Sequence, residues 1–438
     1  MNYRKLMAAA AMGAILTSAL TACAPNAQDG GSNGGEGESK EITWWATNQS
    51  SSLDADLAIL EPELEKFEKA TGTHVNVEVI AWKDLYGRIT SAVTSGKSPD
   101  VVSIGNTWSS SLQSTGAFTE FDKAALEDLG GEDRFLQSSF ETTGVEGEAP
   151  TAIPLLAQAY GLFYNKELFT AAGLEPPTTW DELTAAADKL TDGDVWGLTF
   201  PGASYTANLH MSFIFGRQHG AEPFTSKGEP SFDTDEQVAG IQQFTELWQD
   251  GYINPSDVQF TSGTEALQAF AAGKAAMAFG QTGALGVLRN AGMSPDDFGV
   301  VPIPAPSPLP KGGENVTSFA AGTNISIFKD SQNQASAKAL IKFLTSDEEQ
   351  LAINKAYGTM PVVNSVPASE IGDPAYYEVF QNVLAESAEA LPAVANEGEY
   401  ETNVGNAVSD LLRQIVSGSE VGADEIGAAL TAAEEKMS

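Results

Sequence analysis

Three short stretches combine aromatic and small polar residues at the predicted ends or starts of strands. They are WWATNQ (Trp44–Gln49), GNTW (Gly105–Trp108) and AAGTN (Ala320–Asn324). In open α/β sheets, ligands bind beyond the carboxyl ends of the strands, so we expect the first two loops to meet at one cleft. Flat rings with neutral hydrogen-bonding groups suit an uncharged sugar. Alternatively, the tryptophans are core residues and the polar residues form turns.

Motifs for other chemistry are incomplete. TSGKSP (Thr94–Pro99) contains the GKS core of a phosphate-binding loop, but Ser91 replaces the first glycine and the segment ends a helix instead of opening one. TDGDVWG lacks the later glutamate of a calcium loop. The sequence contains no HExxH or GxSxG motif. The three histidines, His74, His210 and His219, lack metal-ligand spacing and are interpreted as surface or core residues.

Alternating strand and helix patterns must position these stretches. EITWW, HVNVEVI and PDVVSIG have strand patterns, and helical patterns that end at Gly72 and Gly96 separate them. This order predicts a parallel α/β domain. In the first strand, Trp44 shares a face with Ile42 and is predicted to be core, whereas Trp45 points to the opposite face. The alternation restarts downstream, and 438 residues exceed the usual size of one core, so two domains are expected.

The amino-terminal residues predict export. MNYRKLMAAAAMGAILTSALTAC has a basic start, an apolar run and small residues before Cys23, which is typical of a secretory signal over residues 1–23. LTAC resembles the bacterial lipobox, and this resemblance implies that Cys23 is lipidated. Residues 24–40 are rich in Gly, Ser and Asn and are predicted to form a flexible linker. We expect an extracytoplasmic protein anchored to the outer face of the cell membrane.

The net charge of the chain argues against two classes of binding partner. Its 59 acidic and 23 basic residues give a formal charge of −36. Nucleic acid and anionic membrane surfaces both require positive charge on the protein, so neither is an expected partner. Because Cys23 is the only cysteine, no disulfide is expected within the exported domains.

The chain resembles the extracellular solute-binding proteins of sugar ATP-binding-cassette (ABC) importers, the maltose-binding-like group. The likeness covers nearly all of residues 41–438. The shared order of several stretches makes the match specific: LTAC, FEKATGTHVNVE, SGKSPDVVSIGNTW, GAFTEFD, YGLFYNKELFTAAGLEPPTTWDEL, AAGKAAMAFG, AAGTNISIFKDS and YGTMPVV. The resemblance implies an α/β fold with two lobes, a hinge and a ligand cleft between the lobes.

The resemblance also implies where the chain crosses between lobes. The crossings are expected near Phe118–Phe121, Val301–Pro304 and Tyr357–Pro361. Lobe one would then comprise residues 41–118 with 305–356, and lobe two residues 119–304 with 357–438.

Ligand contacts follow from the family pattern and from the three polar stretches. One difference is that the tryptophan frequent in the family after MAxxG is absent, and Gln281 and Thr282 stand there instead. This difference weakens the case for a linear maltodextrin as the ligand. The complete set of expected ligand-binding residues is Thr47, Asn48, Gln49, Asn106, Thr107, Trp108, Glu120, Tyr205, Gln281, Thr282, Thr323, Asn324, Tyr400 and Glu401.

The resulting prediction is a monomeric lipoprotein, not an enzyme, that captures a neutral di- or oligosaccharide for the permease subunits of an ABC importer. No cofactor or metal is expected. Two alternatives remain open. The same fold could bind a polyamine, a glycerophosphodiester or a peptide, although a phosphorylated ligand would favour Arg or Lys in the cleft loops. An anchored glycosidase would need two opposed carboxylates. The sequence also predicts that Trp108→Ala weakens sugar binding with little loss of stability.

Overall fold

The computed structural model describes residues 40–145 and 147–437. The predicted signal sequence, the lipidation at Cys23 and all but the last residue of the predicted linker lie outside the described residues. In the described part of the chain, no helix is both long and apolar enough to cross a membrane.

The described residues form nine strands. They are β1 Glu41–Thr47, β2 His74–Ile80, β3 Val101–Gly105, β4 Ile153–Asn165, β5 Trp196–Thr199, β6 Ala275–Gln281, β7 Phe298–Val301, β8 Ser318–Ile327 and β9 Ala388–Glu389.

Sixteen α-helices accompany these strands in the described ranges. They are α1 Leu53–Thr71, α2 Trp82–Ser95, α3 Ser109–Ser114, α4 Lys123–Asp128, α5 Gln137–Phe140, α6 Lys166–Ala172, α7 Trp180–Leu190, α8 Tyr205–His219, α9 Asp235–Gln249, α10 Gly263–Ala271, α11 Ala284–Asn290, α12 Gln334–Leu344, α13 Asp347–Tyr357, α14 Pro374–Glu386, α15 Glu397–Val416 and α16 Ala423–Glu434.

The first three strands are parallel, as predicted. β1 pairs with β2 from Glu41↔His74 to Thr47↔Ile80, and its other edge pairs with β3. The helices between these strands end where glycine allows it: Gly72 and Gly96 follow α1 and α2 with φ of 75° and 63°, a left-handed conformation that other residues rarely adopt. Because β1, β2 and β3 are parallel, their carboxyl ends lie at the same edge of the sheet.

The strand order is β2-β1-β3-β8-β4-β6-β5, with β7 on β4 and β9 on β8. The long strand β4 joins two groups of strands: Ile153–Ala159 pairs with β8, whereas Tyr160–Tyr164 pairs with β6. We call the part built on β1, β2, β3 and β8 lobe one, and the part built on β5, β6 and β7 lobe two. The sequence-based residue limits of the lobes and their crossings stay predictions.

Helices cover both faces of the lobe-one sheet. Trp44 is 2% exposed within a cluster that includes Leu60 and Phe67 of α1, and its Nε1 donates to Ser103 Oγ at 3.0 Å. The predicted core position of Trp44 is therefore confirmed. Trp45 lies on the other face, where the Arg88 guanidinium is 4.2 Å from its ring centroid.

The core of lobe two is separate and rich in helices. Its buried cluster draws on α7, α8, α9, α15 and α16 together with β5 and β6. α8 is buried almost all round, including its polar residues Asn208 and His210. Burying these polar groups requires partners for them or a polar cavity beside them.

Candidate functional site

A cavity of about 420 Å³ lies between the two lobes. Lobe one supplies the loops after β1 and β3, and lobe two supplies residues from α8, α10, α15 and the end of β6. The volume is in the range of small-ligand pockets. Among the described residues, the lining contains no lysine or arginine, and its only carboxyl groups are those of Glu265 and Glu401.

On the lobe-one wall, the loop after β1 is held by its own side chains. Asn48 Nδ2 donates to Ser50 O at 3.1 Å and to the Asp56 carboxylate. The backbone N–H groups of Gln49 and Ser50 donate to Asp56 Oδ1 at 3.1 and 2.9 Å. Burial raises the pKa of Asp56, while these hydrogen bonds act in the opposite direction. Asn48 and Gln49 thus line the cavity with several of their donors already used.

Gln49 also links this loop to β8. Its Nε2 donates to Thr47 Oγ1 at 2.7 Å and to Thr323 Oγ1 at 2.9 Å. Thr47 and Thr323 are buried behind Gln49 and are not part of the cavity lining. These two threonines support a lining residue instead of facing the cavity.

The turn after β3 completes the lobe-one wall. Asn106 Nδ2 donates to Ala320 O at 2.9 Å, which joins the turn to β8. Trp108 is 3% exposed and packs against Trp82 and Tyr86, with ring centroids 5.5 and 5.1 Å apart. Trp108 therefore contributes to the core while one side of it lines the cavity. Trp82 lines the same cavity and is half-buried.

The lobe-two wall has a buried histidine with one unpaired nitrogen. His210 Nδ1 lies 2.9 Å from the Tyr160 hydroxyl, and its ring stacks on Phe319 with centroids 3.9 Å apart. Nε2 has no hydrogen-bond partner among the described residues. Burial lowers the pKa of His210 to about 3, so the imidazole is neutral near pH 7.

Glu401 gives this wall a second unpaired atom. Its carboxyl group is fully buried, and Oε2 accepts a hydrogen bond from Thr107 Oγ1 of lobe one. Oε1 has no hydrogen-bond partner in the described protein. Burial raises the pKa of Glu401, and the nearby polar groups of Thr107, Thr206 and Trp108 act in the opposite direction. Glu265, in contrast, is engaged in a capping box at the start of α10.

The structure brings together seven of the sequence-predicted site residues. All of them line the cavity: Asn48, Gln49, Asn106, Thr107, Trp108, Gln281 and Glu401.

The other predicted residues lie outside the lining. Asn324 Nδ2 donates hydrogen bonds to Ser109 Oγ and to Thr142 O, both at 2.9 Å. Thr282 Oγ1 accepts a hydrogen bond from Ala159 N at 3.0 Å. Tyr400 packs between Phe224 and Phe232 in the lobe-two core, because consecutive helical residues point in directions about 100° apart. Glu120 and Tyr205 are also absent from the lining, and Glu120 is exposed.

Several lining residues were not predicted from the sequence. They are mainly Trp82, Gln158, Tyr160, Phe200, Thr206 and His210. The interpretation of His210 as a surface or core residue left its burial open and missed its position at the cavity. One signal was available, since a histidine inside the apolar helix NLHMSFIF needs a polar partner. Within the described residues, no cluster of His, Cys, Asp or Glu could hold a metal ion.

Comparison with known proteins identifies the class. The family model described as bacterial extracellular solute-binding protein matches residues 50–351. The diacetylchitobiose binding protein DasA of Streptomyces coelicolor is 28% identical over 374 residues, 82% of each chain. The multiple sugar-binding protein of Streptococcus mutans is 23% identical, covering 70% of this chain and 73% of its own length.

Solved structures share the fold. The GacH receptor of Streptomyces glaucescens superposes with a TM-score of 0.76 at 23% identity, covering 91% of this chain and 98% of its own. Maltose-bound T. maritima MalE3 has a TM-score of 0.76 at 21% identity, covering 91% and 100%. The predicted fold class, α/β with two lobes around a cleft, is confirmed.

Proposed function

The chain belongs to the bacterial extracellular solute-binding protein family, and we propose that it captures a neutral di- or oligosaccharide for an ABC importer. The observation that carries the proposal is the interlobe cavity, whose lining combines aromatic rings, amides and hydroxyls. Two of the lining residues, His210 and Glu401, also carry a buried polar atom without a partner in the described residues, Nε2 and Oε1 respectively. Sugar hydroxyls can both donate and accept hydrogen bonds, so one ligand can satisfy both atoms.

Two further observations support a sugar. The lining offers the half-buried Trp82 for contact with the C–H face of a ring. The relatives include proteins named for binding diacetylchitobiose and multiple sugars, and the structural neighbours include a maltose complex. A volume of about 420 Å³ suits a di- or small oligosaccharide better than a single ion.

The binding mechanism needs no bond cleavage. The ligand would contact both walls only when the lobes are closed, so binding shifts the protein toward its closed form. The closed form then docks on the membrane permease, and opening there releases the sugar. No nucleophile is needed for these steps, and the protein acts as a monomer without a cofactor.

A non-sugar ligand would need different groups. A glycerophosphodiester would favour Arg or Lys, and neither lines the cavity within the described residues. A polyamine would favour the carboxyl groups of Glu265 and Glu401, which makes it the second candidate. A glycosidase would need two free opposed carboxylates, whereas Glu265 accepts hydrogen bonds from Thr261 N and Ser262 N at 2.7 and 3.1 Å.

A thermal-shift screen tests the ligand class. Mono-, di- and oligosaccharides, with spermidine as the polyamine arm, are compared for the rise in melting temperature that binding causes by mass action. We expect oligosaccharides to raise it most. A flat response to every sugar contradicts the proposal, and a response to spermidine alone favours the polyamine. Release of new reducing ends from a bound sugar would indicate a glycosidase instead.

The proposal also includes the location of the protein in the cell. We infer that Cys23 carries a lipid that anchors the protein outside the cell membrane, with residues 24–40 as the tether. Cys23→Ser should move the protein from the membrane fraction to the soluble or precursor fraction, and metabolic labelling with a fatty acid should disappear. Labelling that persists in Cys23→Ser would contradict the anchor.

A further inference from the structure

The amino end of α15 forms a contact that bridges the cleft. α15 packs on α8, α9 and α16 in lobe two, and its first turns touch the turn after β3 and α3 of lobe one. Thr107 Oγ1 donates to Glu401 Oε2, and Gly398 N donates to Ser111 Oγ at 2.9 Å. These bonds join residues 294 and 287 positions apart in the chain.

The backbone of α15 approaches lobe one closely because position 398 is glycine. A Cβ placed on Gly398 would lie 3.1 Å from the Tyr86 hydroxyl and 3.2 Å from Ser111 Oγ. The absence of a side chain here therefore allows the helix end to approach lobe one closely, and a Cβ would require the Tyr86 or Ser111 side chain to shift by a few tenths of an ångström.

Two buried carboxyl groups lie in this contact. Glu397 and Glu401 are one helical turn apart, so they share a face of α15, and they are 4% and 0% exposed. Ser110 of α3 lies beside Glu397 as Thr107 lies beside Glu401. Both carboxyl groups therefore meet lobe-one hydroxyl groups, which they would lose if the cleft opened.

Among the residues that the structure describes, no cation compensates this pair. The ionisable groups around it are Tyr86 of α2, Tyr160 of β4, Tyr205 and His210 of α8, and Glu399 of α15 itself. In the described part of the chain, no lysine or arginine acts on Glu397 or Glu401. α9, α16 and the turn at Pro255–Gln259 also pack on α15, and the turn contributes the buried Asp257, which is a further acid.

Burial and mutual repulsion favour the protonated forms. Burial raises the pKa of Glu397 well above its usual value, and the neighbouring Glu401 raises it further. Burial likewise raises the pKa of Glu401, and the hydrogen bonds from Thr107, Thr206 and Trp108 offset part of this increase. In an open cleft both groups would meet water and return toward ordinary values near 4.5.

We propose that Glu397 and Glu401 form a proton-dependent latch that holds the lobes together while both carry protons and lets them separate once both are ionised. Closing takes up protons from water, and opening returns them. Because Glu401 also lines the cavity, the same residue lies at the proposed ligand site and at the contact with the opposite lobe. The effect of the latch on sugar binding rests on the proposed function, whereas the latch itself needs only the two lobes.

The sign of the pH effect follows from linkage. Since the closed form has the higher pKa values, the stabilisation of closure is fully present below the ordinary carboxyl pKa and is lost as the pH rises through the raised values. Sugar affinity should therefore be highest in acid and should fall toward pH 8. The limiting slope is about tenfold per pH unit for each proton taken up.

The distance between lobes tests the latch without a ligand. In a full-length Cys23→Ser background, Lys83→Cys on α2 and Asn406→Cys on α15, both exposed, accept spin labels. We expect one short distance at pH 5 and a growing population of long distances by pH 8. The isosteric pair Glu397→Gln with Glu401→Gln should stay short at both pH values, because amides cannot ionise.

A control variant on the same helical turn accompanies the measurement of the distance between the lobes. Glu399→Gln changes an exposed acid on the same helical turn and should leave the pH response of the distance unchanged. Identical wild-type distances from pH 5 to 8, or an unchanged pH response in the double Gln variant, overturn the latch. The wild-type titration keeps the test valid even if a variant fails to fold.

The consequence for binding is tested separately. Titration calorimetry with maltotriose and N,N′-diacetylchitobiose at pH 5 and pH 8 should show weaker binding at pH 8 for whichever sugar binds. Glu401→Gln should reduce this difference, and equal affinities at both pH values would count against the latch. The distance measurement uses no sugar, so it decides the latch even where the proposed ligand is wrong.

Discussion

The two walls of the cavity use polar residues in opposite ways. On the lobe-one wall, the side-chain amides of Asn48, Gln49 and Asn106 each donate to other parts of the protein. On the lobe-two wall, His210 Nε2 and Glu401 Oε1 are buried without partners in the described residues. The side-chain amides of the lobe-one wall are thus engaged in hydrogen bonds that hold its own loops. The lobe-two wall retains two polar atoms without a hydrogen-bond partner among the described residues.

This difference indicates where recognition should be concentrated. A ligand that hydrogen-bonds to an unpaired buried atom recovers a desolvation penalty, whereas one that bonds to a satisfied amide gains little. We therefore expect substitutions on the lobe-one wall to act mainly on stability, and substitutions on the lobe-two wall mainly on affinity.

The largest expected effect is on stability at Trp108. Trp108→Ala removes a buried ring from the cluster with Trp82 and Tyr86 and should lower the free energy of unfolding by about 3–5 kcal/mol in urea titrations. This replaces the sequence-based expectation of a small stability loss. Trp45→Ala, a half-buried tryptophan outside the cavity lining, is the control and should cost less. A change at Trp108 that lowers only sugar affinity would make the lobe-one wall a recognition surface.

The next effect is on affinity at His210. His210→Phe keeps an aromatic ring against Phe319 and removes Nε2, so the dissociation constant of the bound sugar should rise ten- to a hundredfold, about 1–3 kcal/mol. Titration calorimetry measures it. Tyr160→Phe removes the same hydrogen bond to Nδ1 but leaves Nε2 in place, and should cost less affinity. Unchanged binding in His210→Phe would remove the difference between the walls.

The acid sensitivity of the fold should also depend on His210. Its folded pKa of about 3 lies below the ordinary 6.5, so the native state favours the neutral ring and loses stability as the pH falls below about 6.5. At pH 5 the loss approaches 2 kcal/mol, and it should be absent in His210→Phe. Urea titrations of both proteins between pH 4 and 7 measure it. Parallel curves would contradict the lowered pKa, because they would mean that His210 binds protons equally in the folded and unfolded states.

The smallest effect is expected at Asn48. Asn48→Ala removes hydrogen bonds to Ser50 O and to Asp56, and should cost about 1 kcal/mol of unfolding free energy while changing sugar affinity less than threefold. Thr282→Ala, a buried polar residue outside the lining, is the matched control. A tenfold affinity loss at Asn48 with unchanged stability would contradict the assignment of this wall.

Local patterns were sufficient for the first elements and for the parallel α/β class, whereas the two-lobe fold was implied by the family resemblance. Period-two alternation identified β1 and the core position of Trp44, and glycines in the left-handed conformation ended α1 and α2 where predicted. The position of polar residues after β1 and β3 also identified Asn48, Gln49 and Trp108 as neighbours of the cavity. These features depend on residues a few positions apart, so the sequence shows them directly.

Other assignments depended on long-range pairing. Asn324 and Thr323 are polar residues on a strand next to the cavity, but Ser109, Thr142 and Gln49 use their hydrogen-bonding groups. Tyr400 and Glu401 are adjacent in sequence, and only the rotation of α15 against α8 directs one to the core and the other to the cavity. No local signal encodes which side chain is left without a partner.

The sequence by itself determined the alternating α/β elements, the excess of acid and the order of motifs that marks a solute-binding protein. The tertiary structure decided which polar atoms remain free, because a hydrogen bond between Thr107 and Glu401 joins positions 294 residues apart. Helix and strand periodicity are set by neighbouring residues, whereas the satisfaction of a buried polar atom depends on every segment that packs around it.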